Sequence, residues 1–420
     1  MNKLFVFILL LFFYSCSKDK DNLVDVNSFL KEGNKVELTN NNNLIDEDSD
    51  SVSKIQTGYK SIIYKSWKQT NSNERNFLQP TIVDIENKPT SIPGSYQKVL
   101  SYRDNLITIN SKSEIQIINT FLKKKISKKI YDRKIYKKNK IQFKLAIDRD
   151  KIIVSDNLGN IHALNYNNLN IIWIKKLNVP FKSEIKIYKD NIYLINSNSK
   201  IYSIDLNTGN INWSFETASK NIKDESSYQI AIFQNKLFFT NDSAEIYCLD
   251  LENNQIKWSF VFQPKDFYKE PISFKSSPIT IDPDGKLYLS TNYGYTYKID
   301  SLNGSIDWSI PILTNNNISV LKNYILFTES NRLIILNKKN GKILKNKKIN
   351  LNKNNNNIFF NKIFVGSNYI YLFNKNGILA YINLKNLNNV KIKKISKSFE
   401  GFILNKKKII ILSNRKILIF

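Results

Sequence analysis

Two cysteines, one histidine and five tryptophans are the side chains of this 420-residue chain best suited to chemistry or to stacking a ligand. So few His and Cys exclude a metal site built from a cluster of either. His162 could act as a general base. It occupies, however, a position in a repeated segment where other copies carry Tyr202, Tyr247 and Tyr297, which argues for packing. Cys248 stands where Ala163 and Ser203 stand in sister segments. It reads as an inert thiol rather than a nucleophile. Trp173, Trp213, Trp258 and Trp308 could stack a quinone or a sugar, but their regular spacing points to a repeated core. There is no Gly-rich phosphate loop, Walker-type motif or Ser/His/Asp arrangement. No catalytic residue, cofactor or metal is expected.

The elements that must position these residues are copies of one module. Segments at 161–165, 201–205, 246–250 and 296–300 align without gaps, each ending in Asp or Asn eight residues before a Trp. Weaker copies end at Asn119, Asn337, Asn383 and Phe420, which makes eight. Short β-branched and aromatic runs broken by Asp284-Gly285 and Asn303-Gly304 give four-stranded antiparallel units. Gly209, Gly304 and Gly341, with Asn254, stand four residues after the anchor, where a hairpin needs positive φ. The anchor Asp or Asn can hydrogen-bond backbone inside that turn. Eight such units predict an all-β fold, an eight-bladed β-propeller. The last copy ends at its third strand. Ser61 to Trp67, a lone Trp-bearing run, is expected to supply the missing fourth strand and close the ring.

The formal net charge is +27, from 63 basic and 36 acidic residues. Lysine is spread over the whole chain together with Asn and Ile, so no nucleic-acid partner is inferred. The densest basic stretch, Lys123 to Lys138, reads as a solvated face. Attraction to an anionic membrane would be non-specific.

At the N-terminus, Asn2-Lys3 precedes an apolar run from Leu4 to Tyr14. The run is shorter than the roughly 20 residues a bilayer span needs, and it suits a signal peptide. It ends in Phe13-Tyr14-Ser15-Cys16, which resembles a bacterial lipobox. Residues 1–15 are then a signal peptide and Cys16 carries lipid. In lipoproteins, Ser17 after the cysteine implies the outer membrane. Residues 16–55, polar and Asn-rich, read as a flexible tether, and 56–420 as the propeller.

The run Ile201-Tyr-Ser-Ile-Asp-Leu-Asn-Thr-Gly-Asn-Ile-Asn-Trp213 resembles the quinoprotein (PQQ-like) propeller repeat, in which the Trp stacks between neighbouring blades. Lys345 and Lys391 stand at the Trp offset in two later copies. With the lipobox and eight repeats, the chain is similar to the BamB-like lipoproteins of the outer-membrane β-barrel assembly machinery. That resemblance implies a non-catalytic scaffold on the periplasmic face, a monomer within a hetero-complex. It would bind the periplasmic domains of a BamA-like barrel subunit. An exposed sheet edge could also recruit a strand of a nascent outer-membrane protein by β-augmentation. The alternatives are a PQQ-dependent periplasmic dehydrogenase and a generic propeller binding module. Candidate partner loops are the inserts 218–228 and 263–275, the second offering Phe267 and Tyr268.

Overall fold

The computed structural model describes residues 49–85, 88–122, 124–219, 228–264, 273–350 and 359–420. Cys16, Phe267 and Tyr268 lie outside them, as do the signal peptide and most of the expected tether.

Among the described residues, strands pair into eight antiparallel sheets, each with four consecutive positions from axis to rim. Blade 1 begins with the inner strand Tyr96–Tyr102 and ends with the outer strand Lys125–Lys129. Blades 2 to 7 follow in chain order, their outer strands being Ile171–Lys176, Ile211–Glu216, Ile256–Val261, Ile306–Ile310, Ile343–Lys348 and Asn386–Lys394. The expected unit at 277–310 is observed as Thr280–Ile281, Lys286–Ser290, Thr296–Asp300 and Ile306–Ile310. Second and third strands are buried along nearly their whole length. Both their faces press on neighbouring blades, which is why they are near-continuous Ile, Leu, Val and Phe. The described helix Arg133–Lys138, six residues long with none buried, follows blade 1.

The ring does close through an N-terminal strand, but not through Ser61 to Trp67. Blade 8 comprises Gly401–Asn405, Lys408–Ser413 and Lys416–Ile419, and its outer strand is Thr90–Pro93. The register pairs Ser91 with Leu418 and Ile92 with Ile417. Pro93 is tolerated there because an outermost strand has no further neighbour to receive its missing N–H.

Residues 57–85 instead form a belt inside the ring. Lys406 N–H of blade 8 donates to Tyr64 O, and Trp67 exchanges backbone hydrogen bonds with Ser101 of blade 1. Ile147 of blade 2 donates to Lys68 O, and Ile187 of blade 3 to Gln69 Oε1. Ile232 of blade 4 donates to Glu74 O and Ile281 of blade 5 to Arg75 O. Phe77 packs with Ile318 and Val320 of blade 6. Thr81 exchanges bonds with Val365 and Ser367 of blade 7, and Asp84 N–H returns to Lys407 O of blade 8. One chain segment thus makes a full circuit and touches every blade.

The last residues assigned to the tether are also built in. Ser49–Asp50 pair with Asn346 and Lys345 at the rim of blade 6. Val52 and the buried Ile55 pack between blades 6 and 7. Lys345 stands where a Trp would fill that slot, and its Nζ donates to Val52 O at 3.3 Å. The missing indole is replaced by chain from the N-terminus.

Candidate functional site

Each blade presents its first-to-second and third-to-fourth strand turns on one face, called here the anchor face. The connections between blades leave from the opposite, insert face. On the anchor face the anchors act as expected. Asp205 Oδ1 accepts from the N–H groups of Asn207 and Thr208 at 2.9 and 2.7 Å, and Asp250, Asp300 and Asn337 do the same in their turns. Gly209, Gly304 and Gly341 have φ of 73°, 77° and 72°, and Asn254 has 58°.

The repeat tryptophans interlock the blades. Trp258 of blade 4 lies on Gly304 of blade 5, and its Nε1–H donates to Ser301 O at 3.2 Å. Trp308 lies likewise on Gly341 and donates to Lys338 O, and Trp173 lies on Gly209 and donates to Leu206 O. Trp213 packs in one cluster with Leu249 and Leu251 of the next blade. Trp67 is different. It sits in the belt on the axis, its ring 5.5 Å from Tyr64 and 6.1 Å from Phe402.

The candidate nucleophile and base are both absorbed by packing. Cys248 is fully buried, and burial pushes its thiol up to about 12. His162 is buried against Tyr131, with ring centroids 5.4 Å apart. Burial lowers its pKa, although Asp156 opposes that. Its Nδ1 has no hydrogen-bond partner among the described residues, as suits a neutral packing ring.

Sequence reasoning missed the axial site. The belt closes the channel, and above it a cavity of about 200 Å³ opens toward the insert face. Its wall includes Trp67, Lys98, Glu184, Asn317, Lys362 and Phe402. Glu184 accepts from Lys98 Nζ and Lys144 Nζ, each at 3.0 Å, and from Thr70 Oγ1 at 2.7 Å. Burial alone would raise this carboxyl. The two lysines and the Thr70 hydroxyl outweigh burial and hold it well below the usual range. Beneath it, buried Lys186 donates to Thr70 O, Asn73 O and Asn76 Oδ1 at 2.9, 2.7 and 2.6 Å. Burial draws this ammonium down to about 7 against the pull of Glu184 and Glu74. Asn76 Nδ2 in turn donates to Ile230 O and Ile279 O, tying the belt to blades 4 and 5. These groups are occupied in holding the belt. The one signal in the sequence was negative: 68–85 is polar and Asn-rich and matches no repeat copy.

Among the described residues no three His, Cys, Asp or Glu side chains gather as a metal site. What the molecule offers a partner is surface. The inserts after blades 3 and 4, which hold the candidate loops 218–228 and 263–275, and the connection after blade 6 all leave from the insert face.

Comparison with known proteins places this architecture. The family model described as outer membrane protein assembly factor BamB matches residues 124–321 and 219–419. The crystal structure of BamB from Moraxella catarrhalis superposes with a TM-score of 0.65 at 13% identity, covering 79% of this chain and 99% of that one. A europium-containing methanol dehydrogenase gives 0.62 at 10% identity over 83% and 89%. The C-terminal WD40 domain of Sif2 gives 0.58 at 10% over 80% and 98%. At these identities the solved structures share the fold alone. No curated protein matches the chain. The family match runs through seven of the eight blades, and on that ground the chain belongs to the BamB family of outer membrane protein assembly factors.

Proposed function

We propose that this protein is a lipid-anchored, non-enzymatic scaffold of the outer-membrane β-barrel assembly machinery. Cys16 would carry the anchor, and the insert face would dock the periplasmic domains of a BamA-like barrel subunit. The observation that carries the reading is the family match across 124–419. The site supports it: His162, Cys248 and four of the five tryptophans are spent on packing between strands and blades. The strands that lead into the inserts, Ile211–Glu216 and Ile256–Val261, both end on the insert face, where connections on a rigid ring would meet a partner.

The test is affinity isolation from solubilised membranes with the full chain as bait. Recovery of a BamA-like subunit is the expected result, and recovery of unrelated partners alone would remove the reading. Replacing Cys16→Ala should release the protein from membranes; full retention would put the anchor elsewhere. Dye-linked alcohol oxidation after addition of pyrroloquinoline quinone and Ca²⁺ would favour the dehydrogenase alternative.

A further inference from the structure

Blade 1 is built unlike its neighbours. Every residue of its outer strand Lys125–Lys129 is exposed, whereas each other outer strand has residues at least partly buried. The turn before it carries Phe121 and Leu122, each 65% exposed, and Ile126 on the strand is 42% exposed. The described residues of this stretch, 121–122 and 124–129, include Lys124, Lys125, Lys128 and Lys129 and no acidic residue. Blade 8 adds two more across the gap, Lys406 Nζ lying 5.2 Å and Lys408 Nζ 5.7 Å from the centre of the Phe121 ring. The acidic neighbours are Asp104, paired with Lys406 at 2.6 Å, and Glu114, which stands opposite Lys129 on the adjacent strand.

The two apolar side chains are held out by design of the turn. Asn119 Oδ1 accepts from the N–H groups of Phe121 and Leu122 at 3.1 and 2.8 Å. The backbone at Phe121 and Leu122 is therefore fixed before it meets anything, and a contact made there loses less conformational entropy.

We propose that this rim of blades 1 and 8 docks on an anionic lipid surface, with Phe121 and Leu122 entering the headgroup region and the lysines facing lipid phosphates. The charge is complementary to such a surface, and the apolar pair at its centre has a partner in the acyl boundary. A nucleic acid would match the lysines but leave Leu122 without a role. The patch lies at the anchor face, so docking turns the insert face and the axial cavity away from the membrane. The inference does not rest on the BamA reading.

The test places an environment-sensitive fluorophore on Leu122→Cys in the full chain carrying Cys16→Ala, so that no lipid anchor or second accessible thiol contributes; Cys248 is buried, and single labelling is verified by mass. Protein is mixed with vesicles of phosphatidylcholine alone or with phosphatidylglycerol added. Blue-shifted emission and quenching by brominated acyl chains are expected with phosphatidylglycerol and largely absent without it. Changing Lys125→Glu or Lys408→Glu should weaken the vesicle-dependent signal by about fivefold or more for each lysine removed. Unchanged far-ultraviolet circular dichroism would show that these surface variants fold. Equal signals with both vesicle types, or no quenching, overturn the proposal. So does a probe that responds to duplex DNA but not to phosphatidylglycerol, which would mark a polyanion site.

Discussion

At Glu184 three donors from three parts of the chain converge on one carboxylate: Thr70 from the belt, Lys98 from blade 1 and Lys144 from blade 2. Its folded-state pKa lies below the ordinary 4.5, so the folded protein binds the proton less readily than the unfolded chain. The stabilisation is complete above about pH 4.5 and is lost as the pH falls through the folded value. The melting temperature of Glu184→Gln should therefore trail the parent at neutral pH, by roughly 1–2 kcal/mol of stability, and the two should converge in acid. A constant gap across pH would show that shape rather than charge matters there. Lys186 was not legible as a fixed point of the fold. Its three acceptors come from residues 70 to 76, a run whose path no periodicity announces.

Turns and strands were far easier to read, because they repeat. The offset from Asp300 to Gly304 to Trp308 fixes a positive-φ turn and the strand after it. The indole that turn receives comes from the preceding blade, 46 residues earlier at Trp258. A Cβ on Gly304 would stand 2.7 Å from that indole, at a φ of 77°. Gly304→Ala should cost at least about 1–3 kcal/mol in a denaturant melt. Gly401→Ala, where a Cβ meets nothing within 4 Å, should change little. Equal effects at the two sites would deny the interlock. The closing strand was misread for a physical reason. Ser61 to Trp67 has the β-branched, Trp-bearing look of an outer strand, whereas Thr90–Pro93 is four residues long, exposed except at half-buried Ile92, and ends in proline. The outer strand of blade 8 is held by backbone pairing to Lys416–Ile419 and carries no Trp, so its side chains give almost no signature. The Trp67 run is recognisable only as apolar; that it faces the axis follows from its neighbours.

For the molecule as a whole, ring closure joins the two ends of the fold. Ser91 and Leu418 stand directly opposite each other. Changing Ser91→Cys and Leu418→Cys together should give a disulfide within reach of antiparallel partners. It should add about 3 kcal/mol of stability, read as a gel shift and a higher melting temperature. Failure to cross-link under oxidation would deny the register. Eight blades were countable from the sequence because seven copies keep the Asp or Asn anchor and the eighth, ending at Phe420, keeps the strand pattern before it. The belt was not, since it makes a different contact at every blade and so has no period.

The belt also constrains how such a molecule can be made. Its chain enters from the rim at Ser49–Asp50, passes once round the axis and returns to the rim at Thr90–Pro93. Both ends are held outside a finished ring, so the segment cannot be threaded in afterwards. It precedes the first blade in the chain, and the strand that locks its far end, Lys416–Ile419, is the last one described. The sheets must gather around it as around a mandrel, and until Lys416–Ile419 pairs with Thr90–Pro93 the open ring needs protection from aggregation.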